Sequence, residues 1–215
     1  LFLKLYVNSD EDNNLGTLYE EMGRFEEAGE LYAKAKNADP SYFNAEYNLS
    51  TINLRNHCFA EGWKQRQKRW LRSDNDEPYL ATSLPEWDGR GARHLFVWGE
   101  QGVGDEVMYG SCFRDLMTCC DKLTVAVSPR LLPAFRRSLP KGIDLVERSS
   151  VVDIQIGRPM GLMVPDLDFD FHAPALTAAG FVRQHIDQFR SAAKPWLMAD
   201  EKMVDNFREA LEVAA

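Results

Sequence analysis

Cysteine and histidine are sparse, and the chain has neither a long apolar run nor an excess of positive charge. The four cysteines, Cys58, Cys112, Cys119 and Cys120, form no CxxC pair. His57-Cys58 has no second ligand pair at zinc spacing, so no metal is expected, and the thiols read as buried groups in a reducing compartment. No stretch approaches the roughly 20 apolar residues a membrane helix needs, and the start lacks the basic-then-apolar order of a signal peptide. With a net charge of −8 the chain lacks the positive surface by which nucleic-acid binders displace phosphate counterions. These absences point to a cytoplasmic protein with no membrane span and no nucleic-acid partner. The chain opens on the apolar fragment Leu1-Phe2-Leu3-Lys4-Leu5-Tyr6 rather than on Met, and this fragment reads as the end of something longer. Missing targeting signals therefore prove little.

What is present is a chain of 215 residues, 45% hydrophobic, enough to bury a core in one or two domains. From Asn14 a helix-turn-helix pattern sets Leu15, Gly16 and Tyr19 on one helix, a break at Met22-Gly23-Arg24, then Ala28, Tyr32 and Ala35 on a second, closing at Pro40. These are the offsets of a tetratricopeptide repeat, in which small residues let two antiparallel helices approach. A shift of 34 residues finds a weaker copy, with Leu49, Ser50 and Gly62 at the positions of Leu15, Gly16 and Ala28, and with Arg66 and Arg69 where Tyr32 and Ala35 stood. Trp63, Gln67, Trp70 and Leu71 stand at helical spacing that suits docking onto a next domain. The basic set Lys64, Arg66, Lys68, Arg69 and Arg72 suits either an anionic ligand or a solvated face. Two repeats fall short of the three or so such arrays need, so further repeats or a neighbouring domain are expected to complete them.

Ser73 to Gly91 is acidic, polar and rich in proline and glycine, so residues 73–93 read as a linker after a repeat region at 1–72, with Trp87 as its anchor on a domain surface. From His94 strand and helix alternate. Leu95-Phe96-Val97-Trp98 is a buried strand, Asp105 to about Cys120 a helix, Lys122 to Val127 a strand, Pro129 to Leu139 a helix and Ile143 to Val146 a strand. Val151 to Ile156 and Phe169-Asp170-Phe171-His172 are shorter strand candidates, separated by the turn-rich Gly157 to Gly161. Alternation of this kind implies a parallel sheet whose ligands bind at the carboxyl ends of the strands.

Gly99-Glu100-Gln101-Gly102-Val103-Gly104-Asp105 lies at that edge, between a strand and a helix, where glycines allow close backbone approach and the helix offers unpaired N–H groups. Its spacing is GxxGxG, not the GxGxxG of a dinucleotide site. The second strand ends in Ser128-Pro129-Arg130 without a ribose-binding carboxylate, and no GKS or GKT follows for a phosphate-binding loop. Gly62-Trp63 and Arg69-Trp70, then Pro85-Glu86-Trp87-Asp88-Gly89, then Trp98-Gly99-Glu100-Gln101-Gly102-Val103-Gly104-Asp105 resemble in that order the bacterial proteins that join tetratricopeptide repeats to a glycosyltransferase domain similar to the lipopolysaccharide heptosyltransferases. Asp170-Phe171-His172-Ala173-Pro174 and Lys194-Pro195-Trp196-Leu197-Met198-Ala199-Asp200 look like later landmarks of the same domain.

The resemblance implies tetratricopeptide-type hairpins followed by a Rossmann-like parallel α/β lobe at 94–199, half of a GT-B fold, with a helix at 200–215 leading towards a second lobe. It implies a protein or glycan acceptor, presented by the repeats and held by the first lobe. A sugar nucleotide would be the donor, bound mainly by the second lobe, with no resident cofactor and with no transfer activity expected of this chain alone. The residue matching the family's proposed base is Asp105. A carboxylate at a helix start stays ionised and can take the acceptor hydroxyl's proton, but it can equally be a simple cap. Glu100 and Gln101 either bond acceptor hydroxyls or brace the loop, and Gly102, Val103 and Gly104 are expected with them among the substrate-binding residues. His172 is either a cleft residue or a structural one. Asp166, Asp168 and Asp170 alternate as metal ligands or as solvent-facing strand residues would. The competing functional reading is an interaction scaffold whose transferase-like lobe is not catalytic.

Overall fold

A computed structural model of the chain describes residues 9–72, 79–148, 150–152, 159–162, 168–191 and 194–214. It divides into two compact units, Leu1–Asp76 with Arg183–Gln188, and Glu77–Val182 with Phe189–Ala215. Helical hairpins make up the first, and a parallel four-stranded sheet with helices forms the body of the second. No helix among the described residues is long and apolar enough to cross a membrane.

In the first unit, α1 (Ser9–Glu21) and α2 (Phe25–Ala38) form one hairpin, and α3 (Phe43–Arg55) and α4 (Phe59–Arg66) form another, followed by a 3-10 turn over Gln67–Leu71. Ser9 to Phe43 and Phe25 to Phe59 are both steps of 34 residues, the period of the repeat. Gly16 lets the hairpin close, because a Cβ there would lie 2.7 Å from Tyr32 Cε1. Ala28, Tyr32 and Ile52 form the core, with Tyr19, Phe25 and Leu49 packed around them.

The second repeat departs from the first by compensated exchanges. Tyr32 reaches Thr17 Oγ1 at 3.4 Å, and Arg66, one period later, reaches Thr51 Oγ1 at 3.0 Å with its guanidinium 4.0 Å over the Tyr47 ring. Lys68 holds the buried Glu46 carboxylate at 2.9 Å, Arg72 lies 4.1 Å over Tyr47, and Arg69 is buried. Most of the basic set is therefore built into repeat packing, and only Lys64 keeps the exposed position expected of a solvated face. Trp63, also buried, donates its indole N–H to the Arg183 carbonyl at 2.6 Å, within the same unit.

In the second unit, β1 (Tyr79–Leu80) precedes β2 (Ala92–Trp98), α5 (Val103–Gly110), α6 (Phe113–Leu116), β3 (Cys120–Val127), α7 (Leu132–Ser138) and β4 (Ile143–Glu147). β5 (Ser150–Val152), β6 (Pro159–Leu162), β7 (Phe171–Pro174), α8 (Ala175–Val182), α9 (Ile186–Ser191, whose first three residues count with the first unit) and α10 (Glu201–Ala214) complete the order. The main sheet runs β4-β3-β2-β7, every pair parallel. Leu95, Phe96 and Val97 are fully buried, as a central parallel strand covered on both faces requires. β1, β6 and β5 make a separate small sheet. Pro159 to Gly161 is thus strand rather than turn, with Pro159 at the first strand position, where its missing N–H is tolerated. Residues 153–156 of the expected strand, and Gly157 and Arg158, lie outside the described residues, as does Asp166.

Three further expectations shift. The helix expected from Asp105 to Cys120 starts at Val103 and breaks after Gly110, where the Ser111 hydroxyl donates to the Met108 carbonyl at 2.7 Å and a Cβ on Gly110 would meet Trp196 at 2.6 Å. β7 starts at Phe171 rather than Phe169, because Asp170 accepts from the Arg93 and His94 amides at 2.9 and 2.5 Å while Asp168 pairs with Arg93 at 2.7 Å. Both aspartates bind the start of β2, Asp170 half-buried and Asp168 from a solvent-exposed position. The linker also enters the sheet: Trp87 N–H donates to the His172 carbonyl at 2.7 Å, His172 N–H donates to Pro85 at 3.1 Å, and Glu86 bridges His172 in parallel. Trp87 is 2% exposed and meets Phe181 edge-on at 5.2 Å, as an anchor would.

Candidate functional site

Because all four main strands run the same way, their carboxyl ends share one edge. The chain leaves β2 towards β3 on one side, while β7 lies on the other, so the order reverses at β2. Crevices at such reversals are where parallel α/β sheets take ligands. The Gly99–Gly102 loop follows β2 directly and stands over this switch point, with Ser128, Arg148 and the start of α8 at the ends of the neighbouring strands.

The loop is held from beneath by buried charge. Glu106, 2% exposed on the first turns of α5, accepts from the Ser128 amide through Oε2 at 2.7 Å. Its Oε1 lies 3.1 Å from Arg148 Nη1, yet that nitrogen aims its hydrogens at the Gly99 and Gln101 carbonyls, at 2.9 and 3.0 Å. Oε1 therefore feels the charge without receiving a directed hydrogen bond. Burial pushes the Glu106 carboxyl above its ordinary range, while the Ser128 amide and Arg148 pull it back. Gly99 has no room for a side chain, since a Cβ would meet Glu106 Oε1 at 2.6 Å.

Glu100 is 3% exposed and its Oε1 accepts from the Leu176 amide at 3.2 Å. The carboxylate thus sits on the N-terminal end of α8, where backbone N–H groups and the helix dipole favour negative charge. This contact is of the kind the bracing alternative for Glu100 calls for. Gln101 is half-buried, with its carbonyl held by Arg148.

The upper surface of the loop is open. Gly102 caps α5 in an extended conformation at φ −72 and ψ 172, without a side-chain cap. A Cβ on Gly102 would find only Asp105 Oδ2, at 3.7 Å, and one on Gly104 would meet nothing within 4 Å. Neither φ is positive; Gly102 serves as the cap of α5, while packing and backbone strain leave Gly104 unexplained. Val103 is exposed at the first helical position. Asp105 is the third residue of α5, half-buried, and its carboxylate makes no hydrogen bond among the described residues. The cap position weighed as an alternative for Asp105 belongs to Gly102.

His172 pairs in register with Phe96, and the Trp98 indole N–H donates to its Nδ1 at 3.2 Å. Burial lowers its pKa, and an accepting Nδ1 requires the neutral ring. Among the described residues no group of three or more His, Cys, Asp or Glu could hold a metal ion. Sequence reasoning missed Arg148 and Glu106. Arg148 carried one signal, a cation one residue past the third strand of a parallel pattern. Glu106, a charged residue between Asp105 and Val107 in a helix start, carried none.

No family model matches the chain. Over 101 residues, 45% of its length, it is 32% identical to Protein FlbA of Caulobacter vibrioides, of which it spans 17%. Among solved structures it resembles a point mutant of the O-GlcNAc transferase of Thermobaculum terrenum at a TM-score of 0.29 and 18% identity, over 65% of this chain and 35% of that one. The chain is thus similar to short parts of longer proteins, at a level that leaves the reading of the site to its own residues.

Proposed function

We propose that this chain is the repeat-bearing, acceptor-side portion of a sugar-nucleotide-dependent glycosyltransferase related to the heptosyltransferase-like proteins, with Asp105 as the base that takes the acceptor hydroxyl's proton. One observation carries the reading. Gly104 faces open space over a switch point, beside an Asp105 carboxylate that makes no hydrogen bond among the described residues, on a loop held by Arg148, Glu106 and Glu100. Glycine without an internal reason is what close approach of a ligand to the backbone demands. A carboxylate in the first turn of a helix, with no hydrogen-bond partner among the described residues, is placed to take the proton of a hydroxyl brought beside it.

Within this reading Glu100 and Arg148 position the loop, and the acceptor lies along Gly102, Val103 and Gly104. The donor is bound mainly by a second lobe, and the helical hairpins present a protein or glycan acceptor. The test is a panel of radiolabelled sugar nucleotides given to the longest natural polypeptide that contains this chain, together with its cell extract. Incorporation from one donor into a macromolecular acceptor is the expected result. Absence of incorporation from every donor, with the polypeptide folded, favours the scaffold reading instead.

A further inference from the structure

The internal repeat allows one face to be read from its counterpart. Leu49 and Ile52 of α3 pack into the helical core, and α2 meets Ile52 through Gly29, whose Cβ would lie 3.2 Å from Ile52 Cγ2. One period earlier, Leu15 and Leu18 of α1 occupy the same two positions, yet they are 41% and 50% exposed. The charges repeat as well. Glu46 on α3 takes one lysine from its own hairpin, Lys68 at 2.9 Å, and a second from α2, Lys36 at 3.3 Å. Its counterpart one period earlier, Asp12, takes Lys34 at 2.8 Å on Oδ1. Asp12 Oδ2 is buried and has no hydrogen-bond partner among the described residues.

We infer that the Asp12, Leu15 and Leu18 face of α1 receives an α-helix of the α2 pattern, with a small residue against Leu18 and, seven positions on, a lysine or arginine against Asp12 Oδ2. Another hairpin of the same repeat presents such a helix. Seven residues are two turns, so both contacts come from one face. The apolar pair supplies the burial, and the small residue sets the distance of approach. The cation satisfies the orphaned carboxylate oxygen, which would otherwise be left unpaired on closure. A second copy of this chain does not fit the position head to tail. One period after Gly29 and Lys36 stand Trp63 and Trp70, which offer neither the small residue nor the cation.

The probe is a synthetic peptide of the Phe25–Ala38 sequence, stapled on its outward face and titrated by fluorescence anisotropy against the 215-residue chain. Saturable binding is expected, weakened about tenfold or more by Leu18→Gln or Asp12→Asn in the chain and by Gly29→Leu or Lys36→Ala in the peptide. Leu18 is half exposed, so its variant keeps the hairpin, which circular dichroism checks. Binding that ignores Leu18→Gln but strengthens with Ile52→Ala would mean that the peptide exchanges with α2, and would overturn the inference. So would no binding to about 1 mM peptide, or a chain that sediments as a dimer dissociated by Leu18→Gln.

Discussion

Substituting alanine at each glycine of the loop separates packing from ligand approach. At Gly99 the new methyl would stand 2.6 Å from Glu106 Oε1, and Glu106 cannot retreat because Ser128 and Arg148 hold it. Overpacking of this kind costs about 1–3 kcal/mol. At Gly104, the second residue of α5, the methyl meets nothing within 4 Å, and replacing glycine by alanine in a helix stabilises by roughly 0.5–1 kcal/mol. In a chain of this size that is a rise of about 2–4 °C in Tm per kcal/mol. Gly102→Ala falls between, since its methyl clears Asp105 Oδ2 at 3.7 Å but alanine is a poorer cap than glycine. Urea and thermal unfolding of the three variants, followed by circular dichroism, give the stabilities, and sugar transfer by the longest natural polypeptide gives the activities. Gly104→Ala is expected to stabilise the fold and lower transfer at least tenfold. If it stabilises the fold and leaves transfer unchanged, no ligand approaches this glycine and the argument from the open loop fails.

Arg148→Met leaves the Glu106 carboxylate buried without its cation and frees two loop carbonyls. The expected loss is about 3–5 kcal/mol in urea unfolding, partly restored when Glu106→Gln is added, and a loss below about 0.5 kcal/mol would remove Arg148 from the frame. Hydrogen exchange at Gly99 to Gly102 should accelerate in the same variant, and unchanged protection would say that other contacts hold the loop. His172 has its pKa lowered by burial, so the unfolded chain takes up its proton more readily than the folded one. The stability it contributes is complete above the unfolded value of about 6.5 and is lost as pH falls through the folded value. An NMR titration of the imidazole should place its midpoint below that of a free histidine peptide, and a midpoint above it would contradict the neutral ring accepting from Trp98.

Periodicity carried the parts of the fold that depend on local pattern. The 34-residue step is legible because Gly16 and Ala28 must be small for the helices to meet, and the strand at Leu95 to Trp98 because a central parallel strand is apolar on both faces. The ends of elements were less legible, since they depend on partners far away in sequence. Asp168 and Asp170 look like strand residues until Asp170 is seen to accept from the Arg93 and His94 amides and Asp168 to pair with the Arg93 guanidinium, and Gly157 to Gly161 looks like turn although its described part pairs as a strand. In the sequence, glycine spacing drew attention to the loop, and the resemblance to the transferases singled out Asp105. The frame below the loop depends on Ser128, Arg148 and Leu176, which are brought together only by the strand order, and strand order leaves no local mark. The degenerate second repeat is a further case. Arg66 looked like a lost aromatic position, yet it makes the same contact to Thr51 that Tyr32 makes to Thr17.

The most direct measurement of the central claim is the transfer rate of the longest natural polypeptide with Asp105→Asn, compared with the unaltered protein at saturating acceptor and donor. Loss of a general base lowers kcat by about 100-fold or more, and with the loop frame intact KM for the acceptor should change little. The account predicts that outcome, with circular dichroism and Tm unchanged. A variant that transfers sugar at the original rate would contradict it, and would leave Asp105 as a first-turn carboxylate that only favours the helix dipole.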